Sequence, residues 1–502
     1  MELRRHPRQR GQRIDARCGQ DGENSLDRQY DVVIVGAGSA GLAALREVRK
    51  RTDNFLLVND GPWGTSCARV GCMPSKVLIE AANAWHRRHH FEAFGIRGAG
   101  ALAVDLPAVL RRVRRLRDDF VAGTLRATAD LGAAAISARA RLLGPGRLEI
   151  EGRVVGARAI VLATGSSPVV PAAWRALGTR ILTTDTLFEQ EDLPARMAVI
   201  GLGAIGVEMA QALARLGIGI SAFGHHGIAG LDDERVRAAM IEALGKEMTL
   251  HLGAAADIST RPGGLRVRSA TGEAEVDAVL AALGRHPDIA GLGLETLGVP
   301  LDARGLPAID PGTLQVGELP VFLAGDANGE RALLHEAADE GHIAGLNALA
   351  CAGGEPVRCY RRRTPLAIVF SEPQIAVVGR RRGSLPAGSF IEGEVDFARQ
   401  GRARAAQRNQ GLLRIQAEAG SGKLLGAELF APAGEHLAHL LALAIDQGLG
   451  VRELLRLPFY HPVLEEGLRS ALRMLARQLP AAGDSDLAGC GSFEAIGADA
   501  LD

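Results

Sequence analysis

The chain has 502 residues and a formal net charge of zero, with 58 basic and 58 acidic side chains. That balance leaves no long single-sign field to hold an anionic polymer, so nucleic acid is not an expected partner. An apolar share of 47% and a charged share of 23% fit a soluble globular chain, long enough for about three domains with cores of their own.

No apolar stretch approaches the ~20 residues of a membrane span, so no membrane association is expected. Residues 1–29 are polar and Arg-rich, without an apolar signal-like segment. Asp15, Asp21, Glu23 and Asp27 argue against a transit peptide and for a disordered extension. The tail over 481–502 reads as flexible. With no export signal, a reducing cytoplasm is expected, where six cysteines do not build a structural disulfide framework.

Residues 31–35 (DVVIV) predict a buried parallel strand. Gly36-Ala37-Gly38-Ser39-Ala40-Gly41 follows, then a helical pattern through Lys50 and a second strand at 55–58. Gly36 permits a tight turn, Gly38 lets backbone approach a pyrophosphate, and Gly41 lets helix and strand pack closely. Strand, glycines, helix and strand in that order make a strong dinucleotide signal. The ribose-binding acid expected at the end of the second strand is replaced by Asn59, with Asp60 next. Either can hydrogen-bond a hydroxyl.

Residues 64–76 read Gly-Thr-Ser-Cys-Ala-Arg-Val-Gly-Cys-Met-Pro-Ser-Lys. Cys67 and Cys72, separated by four residues at a helix start, can close into a disulfide if the backbone allows. A helix N-terminus also favours the thiolate. Further on, His86 and His90 lie one helical turn apart with no third ligand evident, so a solvated face and no metal are expected. The arginines at 111–117 read as the solvated face of a helix whose apolar side is Leu110, Val113, Leu116 and Phe120.

The nucleotide unit recurs. Residues 197–200 lead into Gly201-Leu202-Gly203-Ala204-Ile205-Gly206, a helix through Leu216 and a strand at 218–223. Two units imply two nucleotides, or one used twice. Here the ribose-binding position is Gly224, which leaves room for a 2′-phosphate, and His225 and His226 follow. This favours NADP slightly over NAD. Near the C-terminus, residues 459–466 are Phe-Tyr-His-Pro-Val-Leu-Glu-Glu. A histidine suits proton exchange near neutral pH, and a carboxylate on its other nitrogen would hold the tautomer.

Taken in order, these motifs resemble the class I pyridine nucleotide–disulfide oxidoreductases over roughly residues 30–475. Ala163-Thr164-Gly165, Gly284-Arg285-His286-Pro287 and Ala324-Gly325-Asp326 complete the series. Pro74-Ser75-Lys76 looks closest to dihydrolipoyl dehydrogenase or mercuric reductase. A mercuric reductase would carry adjacent cysteines near its C-terminus, and this chain has only Cys490 there.

The resemblance implies an α/β fold with two Rossmann-like domains, for FAD and NAD(P), plus a C-terminal α+β dimerisation domain. Expected boundaries are 30–170 and 291–358 for the FAD-binding and central segments, 171–290 for NAD(P), and 359–480 for the dimer domain. Strands at 365–370, 375–378, 412–416 and 424–429 and a helix at 433–447 are expected in the last.

It also implies roles. Cys72 would face the flavin and Cys67 exchange with substrate. Lys76 would sit near the flavin, paired with Glu208. Asp326 would bind the ribityl chain, with Thr164, Gly165, Gly284, Arg285, Gly325 and His335 nearby. His461, oriented by Glu466, would be the base and reach into the other subunit of a homodimer. The usual His-Pro-Thr is His461-Pro462-Val463 here.

The function expected is dihydrolipoyl dehydrogenase-like, acting on a small dithiol or a lipoyl-bearing protein. A related reductase of another disulfide, a quinone or a second pyridine nucleotide is the alternative. A degenerate, structural flavoprotein is the non-enzymatic one, for which Asn59, Gly224 and Val463 would be cited.

Overall fold

The computed structural model describes residues 29–480. The expected tail, and all but the last residue of the expected extension, lie outside the described residues, as does Cys490.

The first sheet grows from the strand Gln29–Val35, which pairs in parallel with Phe55–Asn59 on one side and Arg153–Leu162 on the other. Val32, Val33 and Ile34 are fully buried, as a strand covered on both faces requires. Ala135–Ser137 extends the sheet beyond Phe55–Asn59. The long strand Arg153–Leu162 changes partner along its length. Its first half pairs antiparallel with Arg147–Ile150, and its second half parallel with Val321–Leu323. The chain therefore leaves this sheet and returns to it more than 150 residues later.

In between lies a second parallel sheet. Its order is Thr249–Leu252, Gly219–Gly224, Arg196–Ile200, Ala278–Ala281, Ile181–Leu182. A three-stranded antiparallel sheet, residues 257–276, follows Thr249–Leu252 in the chain.

The C-terminal sheet has five antiparallel strands, ordered Leu366–Val369, Gln374–Gly379, Leu424–Ala431, Leu412–Glu418, Phe390–Asp396. Four strands and the helix Gly434–Asp446 lie where the sequence puts them, within a few residues. The edge strand Phe390–Asp396 was not anticipated. Ile391, Gly393 and Val395 alternate with Glu392 and Glu394, so it lacks a long apolar run. Nor was the helix Glu466–Ala476, although Leu468, Ala471, Leu472 and Leu475 form a buried stripe at helical spacing. The arginine-rich helix spans Leu106–Ala129. Leu110 and Val113 are buried and Leu116 is partly so, but Phe120 is 40% exposed, one turn past the end of the packed stripe.

A buried charge cluster joins the C-terminal sheet to the second sheet's unit. Arg414 reaches Asp233 at 3.0 Å, Glu392 at 2.9 Å and Glu394 at 2.8 Å. Glu428, 1% exposed, accepts the backbone N–H groups of Asp232 and Asp233, both at 2.9 Å, just ahead of the helix Glu234–Leu244.

The helix Ser39–Val48 crosses Leu334–Ala352 at close range because two residues lack side chains. A Cβ at Gly341 would lie 2.0 Å from the Ala40 carbonyl oxygen, and one at Gly345 2.8 Å from that of Ala44. Gly341→Ala gains helix propensity of about 1 kcal/mol. It must also push the pair of helices apart, an overpacking cost of about 1–3 kcal/mol or more. A lower urea midpoint is expected for this variant. An unchanged or higher midpoint would mean that the crossing yields freely.

Candidate functional site

The two glycine motifs fold alike. Gly36 has φ of +106°, and a Cβ there would lie 2.1 Å from the Ala163 carbonyl oxygen. A Cβ at Gly41 would lie 1.8 Å from the Gly36 oxygen. In the second unit the distances are 2.2 Å for Gly201 to Ala282 and 1.8 Å for Gly206 to Gly201. The outer glycines are thus fixed by packing. The middle ones, Gly38 and Gly203, have nothing within 4 Å of a Cβ position. Each precedes a helix start, at Ser39 and Ala204, whose first N–H groups lack intrahelical acceptors. An open cradle at a helix N-terminus suits a pyrophosphate.

Both cradles open on one cavity of about 1630 Å³. Cys67, Cys72, Lys76, Gly165, Gly284, Arg285, Gly325, Asp326 and His335 line it too. Thr164, beside Gly165, has a buried hydroxyl with no partner in the structure. Two open cradles and an unsatisfied hydroxyl fit two dinucleotides, so the donor set suits FAD and a nicotinamide nucleotide.

The cysteines sit on two consecutive helices. Thr65 caps Ser66–Val70 by accepting the Ala68 N–H at 3.2 Å, and Gly71 leads into Cys72–His86. A Cβ at Gly71 would lie 3.2 Å from the Cys67 Cα, so the glycine lets the two turns approach. The thiol of Cys67 donates a hydrogen bond to the sulfur of Cys72. This bond is the main cause that brings the Cys72 pKa down to about 7, against opposing burial; the Lys76 charge adds to it. The same bond and burial push Cys67 up.

Lys76 follows Cys72 by one helical turn. Its ammonium binds both Glu208 oxygens, at 2.9 and 2.8 Å, and lies 4.4 Å from the centre of the Phe370 ring. Glu208, on the helix Ala204–Arg215, also accepts the Phe370 N–H at 2.9 Å. Three distant segments of the chain meet at this pair.

Asp326 accepts the Ser166 hydroxyl at 2.6 Å, and Ser166 in turn accepts Arg285 Nε at 2.8 Å. Ser166 was missed by sequence reasoning, as was Glu340. The latter is 1% exposed and accepts the Gly325 N–H and the Asn328 amide, both at 2.7 Å. Neither carries a local signal beyond lying near a glycine motif.

The structure does not bring Asn59 or Asp60 to the cavity wall. The Asn59 amide is used locally, accepting the Ala37 N–H at 3.0 Å and donating to the Gly61 carbonyl at 3.1 Å. Gly224 is closed in, for a Cβ there would lie 3.2 Å from both Leu202 and Leu252 side chains. His225 and His226 do line the cavity, their rings 3.7 Å apart. Burial and the Arg215 charge lower the His86 pKa to about 4. Among the described residues, no group of three or more His, Cys, Asp or Glu side chains is placed to hold a metal.

His461 Nδ1 lies 3.0 Å from Glu466 Oε1, and Glu466 Oε2 accepts the Val463 N–H at 3.3 Å. The hydrogen bond to His461 holds the Glu466 carboxyl below its usual range. The His461 side chain is 80% exposed, and neither residue lines the cavity of its own chain. Cysteine pair and histidine pair are both formed, but one chain does not unite them.

The pyridine nucleotide-disulphide oxidoreductase family profile matches residues 30–341, and that family's dimerisation domain matches residues 366–472. A dihydrolipoyl dehydrogenase of Thermus scotoductus is 30% identical over 465 residues, covering 90% of this chain and 98% of the relative. A mercuric reductase of Acidithiobacillus ferrooxidans is 29% identical over 482 residues, covering 91% and 85%. Among solved structures, LpdA of Mycobacterium tuberculosis superposes with a TM-score of 0.77 at 25% identity, covering 89% of this chain and 99% of that one. The Escherichia coli flavoprotein disulfide reductase RclA, in its Cu(II) complex, has the same fold, with a TM-score of 0.77 at 21% identity and coverage of 89% and 100%. Among the described residues, no helix is long and apolar enough to cross a membrane. The chain belongs to the pyridine nucleotide-disulphide oxidoreductase family, FAD-dependent enzymes that use NAD(P) and whose dimerisation domain it carries.

Proposed function

We propose that the protein catalyses a dihydrolipoyl dehydrogenase-like reaction, moving electrons between a small dithiol or lipoyl-type substrate and a nicotinamide nucleotide through Cys67 and Cys72. The observation that carries this is that the free cysteines Cys67 and Cys72, with Lys76, line the one cavity that both glycine cradles share.

Each residue has a task that follows from its surroundings. Cys67 exchanges with the substrate sulfur, and Cys72 is held as the inner thiolate by the Cys67 hydrogen bond and Lys76. Bound FAD supplies a two-electron relay to the nicotinamide. Gly38 and Gly203 seat the two pyrophosphates, and Asp326, oriented through Ser166 and Arg285, offers a carboxylate to a hydroxyl-bearing chain. With Nδ1–H given to Glu466, His461 keeps Nε2 free to take the substrate thiol's proton and return it. Since His461 does not line its own chain's cavity, it serves the other subunit of a homodimer.

The nucleotide is NADP(H), or discrimination is weak. Gly224 carries no acid to bind a ribose hydroxyl or repel a 2′-phosphate, and His225 and His226 face the cavity.

Three outcomes are expected. In the reduced protein, thiolate absorbance assigned to Cys72 should appear as pH rises through about 7, not near the ordinary thiol value. Cys67→Ala removes the donated hydrogen bond, so the midpoint should move up; Cys67→Ser keeps a donor and should move less. A midpoint unaltered in Cys67→Ala would show that the sulfurs do not communicate.

His461→Gln should slow the thiol half-reaction by about 10²–10⁴-fold while nicotinamide-driven flavin reduction survives. Mixing that variant with Cys72→Ser subunits should restore activity, because one site of each heterodimer has both groups. No rescue after verified subunit exchange would place each complete site within one chain.

Comparing kcat/KM for NADPH and NADH tests the nucleotide. A preference for NADH above about tenfold, or 1.4 kcal/mol, would mean another group replaces the missing acid.

A further inference from the structure

We infer that the arginine-bearing turn at 397–404 is the rim that reads negative charge on the thiol substrate, favouring small disulfides that carry carboxylates. This rests on the proposal that His461 serves the thiol half-reaction.

The turn is anchored to the His461 loop on two sides. Where the edge strand Phe390–Asp396 ends, Asp396 accepts the Ala398 N–H at 2.8 Å and folds the chain over. Phe397 is fully buried, and its ring lies 3.1 Å from where a Cβ of Gly467 would be, directly after Glu466. Gln400 makes the second anchor. Its side-chain oxygen accepts the Ala403 N–H at 2.6 Å, capping the short helix Gly401–Ala405. Its side-chain N–H donates to the Val463 carbonyl at 2.6 Å, within the segment that joins His461 to Glu466. A shift of this turn is therefore a shift of the histidine loop.

From that anchored turn Arg399, Arg402 and Arg404 project into solvent. None has an ion-pair partner among the described residues, whereas Arg414 of the same sheet and Arg382, in a turn between its strands, are bound to carboxylates. The nearby acids make no ion pair with these arginines. Asp396 is bound to the turn and Glu466 to His461. Glu465, the remaining one on the packed elements, is half-buried at the N-terminus of the helix Glu466–Ala476. Three guanidinium groups without ion-pair partners within six residues, against the single carboxylate of Asp396, leave the turn net positive where it is anchored to the loop of the proposed base. Such a charge raises the encounter rate of anions and orients carboxylates through paired N–H donors.

The test compares two disulfides under NADPH or NADH, the dithiobis(nitrobenzoate) dianion and uncharged dithiodipyridine. Replacing all three arginines by glutamine should lower the ratio of kcat/KM, dianion over neutral, by about fivefold or more. Replacing them by lysine should retain most of the ratio. For the wild type, raising NaCl from about 20 to about 300 mM should lower the same ratio, since exposed charges are screened beyond a Debye length. An unchanged ratio in the glutamine variant, or equal loss for both disulfides, overturns the inference while leaving the proposed reaction standing. A wild-type protein that turns over lipoamide but reduces neither disulfide overturns the inference alone, and one that acts on none of the three overturns the proposed reaction with it.

Discussion

The Lys76–Glu208 ion pair is the joint on which the site's geometry depends. Lys76 stands one turn beyond Cys72, and Glu208 two residues beyond the last glycine of the second motif. Holding their charged ends 2.8 Å apart fixes the cysteine helix against the second nucleotide helix. Glu208 is nearly buried, and such a charge is costly to strand without its partner. The Phe370 N–H on the same carboxylate brings the C-terminal region of the chain to the same point. A second junction of the same helices lies deeper. Arg215 binds Glu247 and Asn83 and donates to the Glu372 carbonyl, so Ala204–Arg215 is tied at both ends.

This coupling gives the cysteines their asymmetry. A carboxylate close to a thiolate would by itself disfavour it, and Glu208 does oppose Cys72 ionisation. Lys76 stands between as a compensating cation. With the Cys67 hydrogen bond added, the balance falls toward the Cys72 thiolate, and Cys67 remains the protonated partner. Two chemically identical side chains are separated by their surroundings alone.

Much of this was legible in the sequence, because glycine motifs are local. Gly36 and Gly41 are dictated by carbonyls a few ångströms away, and the same constraint recurs at Gly201 and Gly206. The cysteine segment with Lys76 follows the first motif's unit and Glu208 closely follows the second motif, so both could be located from them. What was not legible depends on contacts between residues far apart in the chain. Ser166 matters through Arg285 and Asp326, Glu340 through Gly325 and Asn328, and Gln400 through Val463. The edge strand Phe390–Asp396 was hidden for a related reason. Its glutamates look like a loop until Arg414, Arg235 and Arg382 are placed opposite them. Asn59 shows how a local contact can be hidden as well, for the residue at the expected ribose position uses its amide on its own turn.

The charge cluster around Arg414 has a mechanical consequence. The unit built on the second sheet is held on one side by the Lys76–Glu208 and Arg215 contacts, and on another by Arg414, Asp233 and Glu428. A body bolted at two faces has no free hinge axis. Nucleotide entry and departure are then expected to use side-chain and loop movement more than rotation of this unit. The same bolts couple the sheets they join, so that loosening the charge cluster around Arg414 would be felt at the C-terminal sheet and at the second nucleotide unit together.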